Sequence, residues 1–106
     1  MDRRLKLDEE LRDVLQNVLG YVNLYFQPPA SVKMKYDCIR YSEETMNVTS
    51  ADSMKYLVRT RYEVIVITRD PDSALPKAVL DRFEYCSPGR KYTADNLYHY
   101  PFTIYY

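Results

Sequence analysis

Residues 55 to 69 read KYLVRTRYEVIVITR, from Lys55 to Arg69. Tyr56, Val58, Tyr62, Val64 and Val66 alternate with Leu57, Arg59, Arg61, Glu63, Ile65 and Ile67. Side chains two positions apart share one face of a strand, so this period marks an extended segment. The first half keeps one polar face. The second half is apolar on both, as expected of a strand in the middle of a sheet and covered on both sides.

The fold is read outward from that strand. Upstream, Tyr36 to Val48 also alternates, with Ile39 and Tyr41 on one face and Cys38 and Arg40 on the other. NVTSADS (Asn47 to Ser53) is turn-rich, so a hairpin over Glu43 to Lys55 is expected to join two antiparallel strands. Tyr21 to Phe26 is rich in strand formers and ends at Pro28-Pro29, which cannot donate to a ladder. Ser31 to Lys35 is a polar, basic connection. Leu7, Leu11, Val14, Leu15 and Val18 recur at helical spacing. Asp8, Glu9 and Glu10 lie toward the start of that helix, where its dipole favours anions. Gly20 is the expected stop.

Downstream, DPDS (Asp70 to Ser73) ends the strand and opens a second helix. Asp72 or Ser73 is the expected cap, Pro76 fits a first turn, and Leu75, Val79, Leu80 and Phe83 form the apolar face. Residues 84 to 93 read as extended, interrupted by SPGR. TADN then turns the chain into a closing strand. In that strand Tyr98, Tyr100, Phe102, Ile104 and Tyr106 alternate with Leu97, His99, Pro101, Thr103 and Tyr105. Pro101 makes it an edge strand or places a bulge in it. The expected fold class is α+β: a mainly antiparallel four- to five-stranded sheet with two helices packed on it. Residues 1–106 form a single domain with neither linker nor repeat.

Composition narrows the function classes. The chain carries 15 basic and 15 acidic residues, a net charge of zero, and so lacks the basic excess of most free-standing nucleic-acid binders. No apolar run approaches the roughly 20 residues needed to span a bilayer. MDRRLKLDEE has no signal-peptide stretch, which sets the expectation of a chain made and kept in the cytoplasm. Gly20 and Gly89 are the only glycines, leaving no Gly-rich phosphate loop.

Catalytic and metal chemistry finds few groups to work with. His99 is the only histidine, and Cys38 and Cys86 are remote from each other. A thiol-imidazole pair of His99 with either cysteine, supported by Asn96, is conceivable, but no nucleophile motif surrounds either thiol. Cys38 and Cys86 read more simply as small buried hydrophobes. Asp95, Asn96 and His99 read as structural members of a turn. Asp70 and Asp72 suit a helix cap better than a cation site, and no metal or other cofactor is expected. Asn47-Val48-Thr49 matches a glycosylation acceptor without a secretory signal to support it. Lys33, Lys35 and Arg40 lie near Tyr36 and Tyr41. Such a mixture can grip a single strand of nucleic acid, although lysine stems lying over apolar surface explain it as well.

The surplus is in tyrosine, 12 of 106 residues with no tryptophan. One small core cannot pair every hydroxyl, so some tyrosines belong at a surface. Subunit contacts enrich Tyr and Arg, while cross-strand pairing within one chain is the alternative. The candidate interface residues are Tyr41, Tyr56, Arg59, Arg61, Tyr98, Tyr100, Tyr105 and Tyr106.

YTADNLYHYPFTIYY (Tyr92 to Tyr106), with YFQPP, SVKMKYDCIRY and YEVIVITRDPDS, resembles the small tail-completion proteins of long-tailed bacteriophages, also termed tail terminators or head-tail joining proteins. The resemblance runs from the first helix to the closing strand, and the ADNL-x-H segment is its most specific part. It implies a compact α+β subunit with no catalytic activity, assembling as a ring, commonly of six copies, in the tail-neck region of a virion built in the host cytoplasm. Its partners would be further copies of itself, the tail tube protein and the head-tail connector or adaptor proteins. DNA would pass through without specific binding. Asp95, Asn96, Leu97, His99, Phe102 and Tyr105 would be structural in such a subunit. The alternative is a small non-enzymatic adaptor, or a nucleic-acid-binding module of similar α+β fold.

Overall fold

A computed structural model of the chain describes residues 3–44 and 60–106. The helical period of the first segment becomes α1 (Arg3–Leu19), with Leu7, Leu11, Val14 and Leu15 buried on one face. Gly20 ends it with φ +83°, a left-handed conformation that costs glycine nothing, and its N–H bonds to the Gln16 carbonyl at 3.0 Å. Asp8, Glu9 and Glu10 fall beyond the first turn, so the expected dipole contact is not made; Asp8 and Glu10 instead serve tertiary bonds described below.

Among the described residues six strands and a second helix follow: β1 (Leu24–Phe26), β2 (Cys38–Glu43), β3 (Arg61–Thr68), α2 (Leu75–Arg82), β4 (Cys86–Pro88), β5 (Tyr92–Ala94) and β6 (Leu97–Tyr105). The architecture is α+β, as the sequence indicates. The sheet has six strands instead of four to five, because residues 84–94 form two short strands, the first running through Ser87 and Pro88 and the break falling at residues 89–91. Its order is β1-β2-β3-β6-β4, with β5 also on β6, and it is mixed: β1 pairs with β2 in parallel, the other pairs being antiparallel. The parallel pair arises because residues 27–37 return to the opposite end of the sheet before β2 begins.

β3 holds the centre, as its two-faced apolar pattern requires. Val64 and Val66 face α1 and α2 in one cluster with Leu7, Leu11, Leu15, Leu75, Val79, Phe102 and Ile104. Ile65 and Ile67 face the other way and are buried with Cys38. The cover on that side is Met34 and Tyr36, from the connection before β2, not a helix. Asp37, 8% exposed, fixes this connection: its Oδ1 accepts the Arg69 backbone N–H at 2.9 Å, and its carbonyl accepts from the Asn23 side chain at 3.2 Å.

Two expectations about termini and edges change. The N-cap of α2 is Ala74, which offers no side-chain oxygen, with Pro76 in the first turn as expected. Ser73 contributes from one place earlier, its Oγ accepting the Leu75 N–H at 3.2 Å, while Asp72 donates its own N–H to Asp70 Oδ1. β6 is an inner strand, not an edge, lying between β3 and β4/β5. Pro101 fits there because its carbonyl accepts from Gly89 N–H at 2.7 Å, on the side away from β3. In an antiparallel ladder a residue's N–H and C=O point the same way. The missing N–H of Pro101 therefore faces Gly89, just past the end of β4, and the ladder between β6 and β3 loses no bond to it.

Candidate interaction surface

Both helices cover one face of the sheet. On the other face Met34 and Tyr36 protect the β2–β3 half, and among the described residues no element covers the β6 half. His99, Pro101 and Thr103 are each half-buried along β6, and Tyr105 at its end is 43% exposed. Tyr92, 44% exposed, lies across from His99 and stacks on its ring, with centroids 4.7 Å apart and planes 15° apart. His99 Nδ1 sits 3.1 Å from the Leu97 carbonyl, which orients the ring over the hairpin. The hairpin turns on Asp95 (φ 54°) and Asn96 (φ 63°), with Ala94 opposite Leu97. Two successive positive φ values are those of a type I′ turn, which suits strand twist and tolerates Asp and Asn.

A cleft of ≈ 260 Å³ opens where β6 ends, lined by Glu10, Arg82, Phe83, Glu84, Tyr85, Tyr105 and Tyr106. Its floor is an ionic clasp between the helices. Arg82 donates from Nε to Glu10 at 3.0 Å and from Nη1 to Asp13 at 2.8 Å. The Tyr106 hydroxyl donates to the other Glu10 oxygen, and its ring packs edge-on against Phe83 at 6.1 Å. Burial, then the bond to Glu10, pushes the Tyr106 phenol up to about 12. The Tyr105 N–H bonds to the Tyr85 carbonyl at 3.0 Å, so these two residues face each other at the mouth. Tyr85 is 46% exposed.

The candidate residues separate into distinct groups. Tyr41 is not a surface residue: it is 2% exposed, its hydroxyl donating to Asp8 Oδ2 at 2.5 Å and accepting from Arg4 at 3.3 Å. Burial, then the Asp8 hydrogen bond, raises its pKa. Tyr98 and Tyr100 are half-buried on the helix side of β6, Tyr100 against the main core. Arg61 is exposed and pairs with Glu44 at 3.2 Å. Tyr56 and Arg59, with the Glu43 to Lys55 hairpin apart from its first two residues, lie outside the described residues, as does Asn47. Of the tyrosines proposed for contact, Tyr105 is the open one and Tyr106 is half committed to Glu10.

The conceivable thiol-imidazole pairs are not formed. Cys38, Ile67 and His99 occupy one row across three strands, so Ile67 stands between thiol and imidazole at a Cα separation of about 10 Å. Cys86 lies opposite Ile104 and packs on the helix side, the face away from His99. Burial, then the Asp37 charge, pushes the Cys38 thiol up to about 12, the reverse of a nucleophile's adjustment. Among the described residues no group of three His, Cys, Asp or Glu side chains converges on a metal position, and no helix is long and apolar enough to cross a membrane.

Glu10, Arg82, Phe83, Glu84 and Tyr85 were not singled out from the sequence as interaction residues. Their signal is tertiary: Glu10 and Arg82 stand 72 positions apart and read separately as ordinary helix charges. Comparison of the chain with protein-family models, curated proteins and solved structures finds no match.

Proposed function

We propose that this chain is a structural subunit of a phage neck, forming a ring that terminates the tail tube and joins it to the head connector. The observation that carries this is the open half of the sheet. Its inner aromatic strand is bonded on both sides, yet its outward row of His99, Pro101, Thr103 and Tyr105, with Tyr92 beside it, has no cover from another element among the described residues. A rigid, half-wet aromatic platform of this kind suits protein contact, because tyrosine contributes large area and keeps a polar tip. In the ring this face meets the tube or the connector. A chain of balanced charge also fits a conduit that must let DNA pass without holding it.

The test is to mix the purified chain with polymerised tail tubes from its own particle and image them by negative-stain electron microscopy. Ring-shaped density at one tube end, with tube growth arrested there, is the expected result. A chain that remains monomeric and leaves tube ends bare overturns the proposal.

A further inference from the structure

Two separate patches of the subunit carry opposite charge, one at the cleft where β6 ends and one on the sheet face away from the helices. At the β4 margin, Glu84 is exposed beside the cleft walled by Tyr85 and Tyr105, and it pairs with no cation among the described residues. The other carboxylates there, Glu10 and Asp13, are already held by Arg82. On the face away from the helices, the connection that covers Cys38 and Ile67 presents its alternate residues outward. Met34 and Tyr36 turn in; Lys33 and Lys35 are exposed and pair with no carboxylate among the described residues. The Tyr25 hydroxyl accepts the Lys35 N–H at 2.8 Å and so steadies this basic segment.

We infer that the Lys33–Lys35 segment of one copy docks at the Glu84–Tyr85–Tyr105 cleft of the next copy. This rests on the ring proposed above and specifies its subunit contact. A head-to-tail ring needs two different patches on separate sides of each subunit, and these two are opposite in charge, the cleft opening beside the helices and the basic segment lying on the other face of the sheet. The nearer cations, Arg90 and Lys91, do not serve: they flank Tyr100 and Pro101, about 15 Å along β6 from Tyr105 on the same margin. A contact through them joins like margins and closes as a two-fold pair, not a ring.

The experiment is sedimentation velocity of the full chain at several concentrations, alone and with tail tubes, for the wild type and charge variants. Glu84→Lys, and separately Lys33→Glu with Lys35→Glu, is expected to weaken assembly at least tenfold, since each places like charges across the contact. Combining all three substitutions in one chain is expected to restore it to within about threefold, a rescue that misfolded variants cannot show. Arg90→Glu with Lys91→Glu is expected to assemble as wild type. If the wild type forms rings and Glu84→Lys does so equally well, or if the Arg90/Lys91 variant is the one that fails, the docking is wrong and the ring stands. If the wild type assembles neither alone nor on tubes, both fall.

Discussion

At the scale of single residues, the tyrosines divide by what their hydroxyls touch. Tyr41 is enclosed by the core and held by Asp8 and Arg4; its ring packs on Phe26 at 4.9 Å and lies 6.3 Å from Tyr62. Tyr41→Phe removes the hydroxyl and leaves Asp8 short of a donor, so it is expected to cost about 1–2 kcal/mol in urea denaturation. Tyr105→Ser, at the open mouth of the cleft, is expected to stay within about 0.5 kcal/mol of wild type in the same measurement. Cys38 and Tyr106 make stability depend on alkaline pH. Both hold their protons more tightly folded than unfolded, each reaching about 12 from ordinary values of 9.0 and 10.0. The unfolded chain therefore binds fewer protons above pH 9, and stability falls as pH rises. Their contribution is whole below pH 9 and is lost progressively toward pH 12. Urea midpoints at pH 8, 9, 10 and 11 should show this decline, and Cys38→Ala should make it shallower.

At the scale of elements, local features were readable and distant pairings were not. The α1 stripe and Gly20, the alternation through β3 and the Asp95–Asn96 turn all follow from neighbours a few positions away. That turn makes a sharp prediction. Asn96 sits at φ 63°, where glycine is unstrained and a β-branched residue is not. Asn96→Gly should leave the thermal midpoint unchanged or slightly raised, and Asn96→Val should lower stability by roughly 1–2 kcal/mol. By contrast, Tyr41 meets Asp8 across 33 positions and Arg82 meets Glu10 across 72. Alternation alone placed Tyr41 on a face without revealing that α1 would cover it. Pro101 suggested an edge or a bulge, and which neighbour its missing N–H would face depended on the later position of Gly89. The parallel pairing of β1 was hidden for a similar reason: residues 27–37 have the length of a loop but run back along the sheet.

At the scale of the whole molecule, α1 and α2 pack one face while the connection before β2 packs only part of the other. The half left open among the described residues is where the candidate surface lies, and the basic segment and the cleft on either side of it are where neighbouring copies are proposed to meet. The clasp of Arg82 on Glu10 and Asp13 joins the two helices at the β4 end, with Arg82 itself 36% exposed. Arg82→Ala is therefore expected to cost no more than about 1 kcal/mol, less in high salt, as checked by denaturant titration at two ionic strengths. The partial cover also divides the molecule by how readily solvent protons enter. The amides of β2 and β3 lie between two layers of side chains, whereas those of β4 and β5 hang on short ladders at a margin. Deuterium should label the latter within minutes and the former only on global opening. Under the proposed assembly a neighbour or a tube end would occlude the β6 half and that contrast should fade, so the rate of isotope uptake at Tyr92 to Ala94 would report assembly without any mutation.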